Sequence, residues 1–309
     1  MEKNNNHLSP EYRFGFYVNA ERKRLWHAEL LMYEKFNKIC NKYNLNHFLI
    51  GGSAIGAVRH KGFIPWDDDL DIGMLRKDFN KFLEVVKSET SFNYEIQYGF
   101  LPNNQFSSFL RIRDKSTTGI IKDEVDRNIN HGIFIEIYPF DNVCSIKWVR
   151  KLQLKVSAKL LNILTDRFYQ VTCSKIDRVL ISIFKILSAN RLWKLWNWNC
   201  QLFGKFNTKF VDTVALPVYA FKGIHLYYKK DLIQTQKVDF EYTNAYVAKG
   251  NDRCLKIHFG DYMQLPPVDQ RGAHHQAIIF YDTQLPYTEY MDKIIVQKFF
   301  EGDVSLRDI

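Results

Sequence analysis

The residues best placed to do chemistry lie between positions 50 and 74, in the stretch IGGSAIGAVRHKGFIPWDDDLDIGM. Four aspartates crowd into five positions: Asp67, Asp68, Asp69 and Asp71. In an extended chain, Asp67, Asp69 and Asp71 project to one side. Three converging carboxylates raise one another's pKa and destabilise the fold unless a cation neutralises them. Hard oxygen ligands of this kind suit Mg²⁺ or Mn²⁺, which bind through one or two carboxylates and substrate phosphates. Upstream, Gly51 and Gly52 let the backbone approach a ligand closely, and Ser53 offers a hydroxyl to a phosphate oxygen. A calcium loop does not fit. Counted from Asp67, the sixth position is Ile72 and the twelfth is Asp78, where an EF-hand needs Gly and Glu. Nor does a solvated acidic turn carry Ile64, Pro65, Trp66, Leu70 and Ile72 through it.

The elements around these residues predict an α/β (α+β) fold: a mixed sheet with flanking helices and a basic helical insertion. Residues 20–43 carry Leu25, Leu30, Leu31, Phe36, Ile39 and Cys40 at helical spacing. NHFLIGGS reads as a short strand, AIGAVRHKG as a helical turn and DLDIGML as an alternating strand with its acids on one face. RKDFNKFLEVVKSE reads as a helix. GIFIEIYPFDNV reads as a second alternating strand, ended by Pro139. Glu136 sits within it, and a glutamate in so apolar a strand implies a role as metal ligand or general base. Asp141, just past the proline, reads as a turn former. The expected organisation is an N-terminal tail over 1–19, a catalytic core over 20–145, a basic helical segment over 146–210 and a C-terminal part over 211–309 that completes the site.

The chain has 309 residues and a net charge of +9. Between Lys147 and Lys209 stand thirteen Lys/Arg and only two acids, Asp166 and Asp177, so the basicity belongs to one segment. That segment interleaves Trp148, Trp193, Trp196 and Trp198 with aliphatic residues. It reads either as a surface for the inner leaflet of a membrane or as a helical subdomain whose lysines are only solvated. No apolar run reaches the length of a membrane span, and the polar N-terminus shows no signal peptide. Five scattered cysteines without a Cys-x-x-Cys pair point to a reducing compartment. The expected location is therefore cytoplasmic, with a peripheral position on the membrane as a further expectation.

GGSAIGAVRHKGFIPWDDDLDIGM resembles the defining motif of the LicD family, which includes the fukutin-related proteins. FGDYMQLPPVDQR, followed by His274 and His275, resembles that family's second motif. The resemblance implies a nucleotidyltransferase-like fold. It implies transfer of phosphocholine, or of a polyol phosphate such as ribitol or glycerol phosphate, from a CDP-linked donor to a glycan hydroxyl, with release of CMP. It places Mg²⁺ on Asp67, Asp69 and Asp71 and the donor diphosphate near Gly52 and Arg59. CDP-choline is the favoured donor, and the acceptor is a cell-surface glycan or its lipid-linked precursor. The chemistry adds roles for the rest. Arg59, His60 and Lys61 are candidates to meet the leaving phosphate, and Asp261 to line the donor pocket. At Glu136 the family more often carries aspartate. Two other classes compete. A nucleotidyltransferase moving NMP from an NTP shares the glycine and acid frame. A binding module does not need three aligned aspartates, which repel nucleic-acid phosphates, so no nucleic-acid partner is expected.

Overall fold

The computed structural model describes residues 5–101, 105–125, 127–169, 187–216, 226–272 and 278–291. The chain opens on a hairpin of β1 (Glu11–Arg13) and β2 (Phe16–Val18), turned at Phe14 and Gly15, both with positive φ. The expected tail over 1–19 therefore contains an ordered hairpin. Arg13 donates two hydrogen bonds to Glu241, at 2.5 and 2.7 Å, and Val18 is fully buried.

α1 (Ala20–Lys42) starts where the Asn19 side chain accepts from the Arg22 amide at 2.8 Å. Its apolar stripe buries Leu25, Trp26, Leu30, Tyr33 and Phe36. β3 (Phe48–Leu49) leads into α2 (Gly51–Ile55), which continues as one π-helical turn, Gly56–His60. β4 (Asp71–Leu75), α3 (Arg76–Val85), β5 (Glu95–Leu101), β6 (Gln105–Arg113), β7 (Thr118–Ile121) and β8 (Phe134–Val143) follow. α4 (Lys147–Tyr169) and α5 (Ala189–Cys200) are the described helices of the basic segment. Then come β9 (Phe210–Asp212), β10 (Tyr227–Tyr228), the hairpin of β11 (Thr235–Phe240) and β12 (Thr243–Ala248), α6 (Asn251–Phe259), and β13 (Ile278–Asp282), which pairs with β7.

A seven-stranded mixed sheet organises the molecule. β4 lies between β3, antiparallel, and β8, parallel. The other edge of β8 is shared: β6 pairs with Phe134–Ile137 and β9 with Asp141–Val143, both antiparallel. Ile72, Met74, Leu110, Ile112, Ile135 and Ile137 are fully buried in one core cluster with Phe36 of α1 and Phe79 and Phe82 of α3.

Three sequence expectations are corrected here. β8 does not end at Pro139. The Glu136 amide donates to the Leu70 carbonyl, so even-numbered residues of β8 direct their backbone groups toward β4 and odd-numbered ones toward the opposite edge. Pro139 falls on that opposite edge in the gap between β6 and β9, where no partner requires its missing N–H. Asp141 is thus a strand residue. It is fully buried and paired with Arg76 through bonds of 2.6 and 2.9 Å. The acid-rich run is not one extended strand either. β4 begins only at Asp71, and Asp67–Leu70 is irregular.

Candidate active site

The irregular run before β4 is pinned from behind by α1. Arg22 Nη1 and Trp26 Nε1 both donate to the Asp67 carbonyl, at 2.9 and 3.0 Å, and the Asp67 amide donates to the Ile64 carbonyl at 2.9 Å. Because the run is bent, the three acids whose ligand oxygens lie within 4.8 Å of one another are Asp67, Asp68 and Asp69. Alternation alone predicted Asp67, Asp69 and Asp71. Asp71 stays close: after burial, it is the charge that raises the Asp69 pKa most, ahead of Asp67 and Asp68.

The glycine pair closes the cradle. Gly51 has a φ of 55°, and a Cβ on it would sit 3.5 Å from Asp71 Oδ2. A Cβ on Gly52 would sit 2.6 Å from Asp67 Oδ2, a separation that side chains do not tolerate. Ser53 is buried and its Oγ accepts from the Asp71 amide at 2.8 Å, so its hydroxyl locks α2 to the start of β4.

The electrostatics follow from burial and crowding. Burial, with Asp68 adding repulsion, pushes Asp67 up to about 7. Burial pushes Asp68 up to about 6. Asp71 is held well above the carboxylate range, first by burial and then by Glu136. Asp68 Oδ1 and Asp71 Oδ1 are buried with no hydrogen-bond partner. Orphaned anionic oxygens among hard carboxylate donors are what a divalent cation satisfies, so the residues fit Mg²⁺ or Mn²⁺.

Glu136 lies beside Asp71, its register partner across the parallel β4–β8 pair. Arg111 Nε donates to Glu136 Oε1 at 2.6 Å, and the Tyr138 hydroxyl donates to Oε2. Arg111 also pairs with Glu124, which in turn holds buried Arg113. The Glu136 carboxylate is therefore fixed from both sides.

The other predicted residues take varied places. Arg59 Nη1 donates to the carbonyls of Tyr262 and Gln264, at 2.6 and 3.1 Å, tying the first motif to the second. Tyr262 is buried, and its hydroxyl donates to Asp252 at 3.0 Å. Arg271 packs over Trp66 at 5.2 Å and donates to the carbonyls of Pro266 and Phe14, at 2.9 and 2.8 Å. His60 accepts from Arg59 Nε at 2.8 Å and meets Phe14 edge-on. Burial, with Arg59, Arg13 and Arg271 around it, pushes His60 down to about 4. The ring is neutral at pH 7, so any contact with phosphate runs through N–H donation and not through charge. Lys61 is exposed and Asp261 lies on the exposed turn after Gly260. A cavity of about 690 Å³ between the π-helical turn and the β11–β12 hairpin is lined by Ala57, Val58, Lys61, Lys237, Lys249 and Tyr262. His274 and His275 lie outside the described residues.

Sequence reasoning missed Glu29. It is fully buried in α1, neither carboxylate oxygen has a partner, and burial together with Asp68, Asp67 and Asp71 holds its pKa well above the usual range. It falls on the same helix face as Arg22 and Trp26. The available signal was an acid on the buried stripe between Trp26 and Tyr33. Arg111 and Tyr138 were missed because their partnership with Glu136 is set by strand pairing and alternation across β6 and β8.

The family described as LicD/FKTN/FKRP, nucleotidyltransferase domain, matches residues 44–155. The lipopolysaccharide cholinephosphotransferase LicD of Haemophilus influenzae is 28% identical over 251 residues, covering 78% of this chain and 90% of that protein. An uncharacterized protein of Rickettsia typhi is 32% identical over 97 residues, covering 29% of this chain and 31% of its own length. One of Rickettsia prowazekii is 34% identical over 62 residues, covering 20% of this chain and 23% of its own.

Proposed function

We propose that this chain, whose residues 44–155 match the LicD/FKTN/FKRP nucleotidyltransferase domain, is a metal-dependent transferase that moves phosphocholine from CDP-choline to a hydroxyl of a lipopolysaccharide-type glycan. The single observation that carries the reading is the cradle in which Gly51 and Gly52 abut the carboxylates of Asp71 and Asp67, with Glu136 in register beside Asp71. The resemblance to a cholinephosphotransferase over most of both chains supports the choice of head group.

In this reading Asp67, Asp69 and Asp71 would hold Mg²⁺, with Asp68, whose ligand oxygen lies within 4.8 Å of those of Asp67 and Asp69, as a fourth candidate ligand. Held there, the ion would supply charge neutralisation to the diphosphate and to the leaving oxygen. The missing side chains at Gly51 and Gly52 let the carboxylates of Asp71 and Asp67 lie against α2, beside which the donor diphosphate would sit. The acceptor oxygen attacks the phosphorus that bears choline. A new P–O bond forms to the glycan, the bond to the bridging oxygen breaks, and CMP departs with that electron pair. Glu136, immobilised by Arg111 and Tyr138, accepts the proton of the attacking hydroxyl. Arg59, which ties the Tyr262–Gln264 loop to the π-helical turn, would offer its guanidinium to the leaving phosphate. Asp261 and His60 complete the donor side, the latter as a neutral ring.

A donor screen tests this. The protein with Mg²⁺ is incubated with CDP-choline, CDP-ribitol, CDP-glycerol and each of the four NTPs, and release of CMP or pyrophosphate is followed. CMP from CDP-choline supports the reading. CMP from another CDP-polyol alone reassigns the head group, and pyrophosphate from an NTP replaces the reaction with nucleotidyl transfer.

A further inference from the structure

Outside the site, α4 and α5 form a helical pair with an unusual outward surface. The pair itself is firmly packed. Leu154, Leu160, Ile163 and Leu164 of α4 bury against Leu192, Trp196 and Cys200 of α5. Gln153 Nε2 donates to the Asn199 carbonyl at 3.0 Å, Asn199 Nδ2 donates to the Gln153 carbonyl at 3.1 Å, and Trp196 Nε1 donates to Ser157 Oγ at 3.1 Å. These buried bonds fix each helix in rotation and so decide which side chains turn outward.

What turns outward is large, apolar and basic. On α4, Trp148 is 70% exposed and Leu152 is 55% exposed, with Val156 one turn further on. Lys151 and Lys155 are interleaved with them and exposed. On α5 the exposed residues are Leu195 and Trp198, the latter 61% exposed, with Arg191 and Lys194 beside them. Leu202, Lys205 and Phe206 continue the same character past the end of the helix. Residues 145–165 and 187–211 contain no aspartate or glutamate. An exposed apolar patch rimmed by charge marks an interaction surface, and positive charge interrupted only by Asp166 near the end of α4 is complementary to an anionic partner. Tryptophan beside lysine at this spacing matches the boundary between acyl chains and anionic headgroups. No helix among the described residues is long and apolar enough to cross a membrane.

We propose that the α4–α5 pair is a docking surface for an anionic lipid bilayer, with Trp148, Leu152 and Trp198 entering the interface and Lys151, Lys155 and Lys194 meeting the headgroups. The inference goes beyond the transferase reading and stands without it.

The test is co-sedimentation of the full chain with vesicles of phosphatidylcholine alone and of phosphatidylcholine mixed with phosphatidylglycerol. Binding is expected to the anionic vesicles at low ionic strength, at least about tenfold above the neutral ones. It should fall by a similar factor at about 1 M salt, where the screening length is about 3 Å. W148A/W198A and K151E/K155E should each reduce binding about tenfold, with thermal unfolding unchanged because all four positions are exposed. Absence of binding to anionic vesicles at low salt overturns the proposal. So does undiminished binding by both variants. A chain that is dimeric by light scattering, becomes monomeric as W148A/W198A and ignores vesicles would make this face a contact between copies instead.

Discussion

Asp71 and Glu136 are register partners on adjacent parallel strands, so their side chains emerge side by side on one face of the sheet. Each is treated differently by its surroundings. Asp71 keeps one buried oxygen without a partner, whereas both oxygens of Glu136 are engaged, by Arg111 and Tyr138. Asp71 has an unpaired oxygen that a divalent cation would satisfy, while Glu136 is already restrained. That asymmetry is the basis for assigning Asp71 to metal binding and Glu136 to the acceptor proton.

Asp71→Asn separates function from stability. The variant should lose at least about 100-fold in transfer rate, as expected when a charge-stabilising group is removed. The same variant should be more stable than the parent in EDTA, by about 1 kcal/mol, because a repelled carboxylate has gone. Turnover and chelator-treated thermal unfolding, measured on the same preparation, check both halves. A less stable or fully active variant would remove Asp71 from the metal set.

Gly52→Ala tests the cradle by shape alone. The added Cβ would lie 2.6 Å from Asp67 Oδ2 and would push that carboxylate aside. Mg²⁺ affinity, read by titration calorimetry without substrate, should weaken about tenfold or more. Unaltered affinity would mean that Asp67 is not a ligand.

Arg59→Lys keeps the charge but loses the planar group that reaches two carbonyls of the Tyr262–Gln264 loop. Looser loop placement should raise KM for the donor about tenfold with a smaller change in kcat. Proteolysis within residues 260–272 should also quicken. If kcat falls and neither KM nor cleavage changes, Arg59 acts on the transition state and not on the loop.

Asp212 provides a pH test away from the site. It is buried in β9, its Oδ1 accepts from the Thr213 amide at 2.8 Å, and burial pushes it up to about 7. Its ordinary value is about 4. Between these values the folded protein holds a proton that the unfolded chain has released. Stability therefore falls as pH rises through that window, and the loss is complete above about pH 7. Asp212→Asn keeps the hydrogen bond and removes the titration. It should exceed the parent by a few kcal/mol at about pH 8 and match it near pH 4. Denaturant unfolding across pH decides the matter, and parallel profiles would refute it.

Much of this was legible in the sequence, and the failures have physical reasons. α1 follows from Leu25, Leu30, Phe36 and Ile39 at helical spacing, because its stripe meets the core along its whole length. β4 and β8 follow from alternation. The continuation of β8 past Pro139 does not, because it depends on where β6 stops and β9 starts. The bend at Asp67–Leu70 depends on Arg22 and Trp26 capturing one carbonyl from 41 or more residues away in sequence. The acids were identifiable by type and crowding. Which of them meet, and that Glu29 lies behind them, required the packing of α1.

The central claim is that head-group phosphate, and not nucleotide, leaves the donor at the Asp67–Asp71 cradle. CDP-choline labelled on the choline-bearing phosphate, incubated with the protein, Mg²⁺ and lipopolysaccharide, measures it directly. The account predicts label in the glycan, one CMP released for each phosphocholine transferred, and both products formed at least about 100-fold more slowly with Asp71→Asn. Label that stays with the nucleotide, or transfer at the parent's rate by Asp71→Asn, would contradict it.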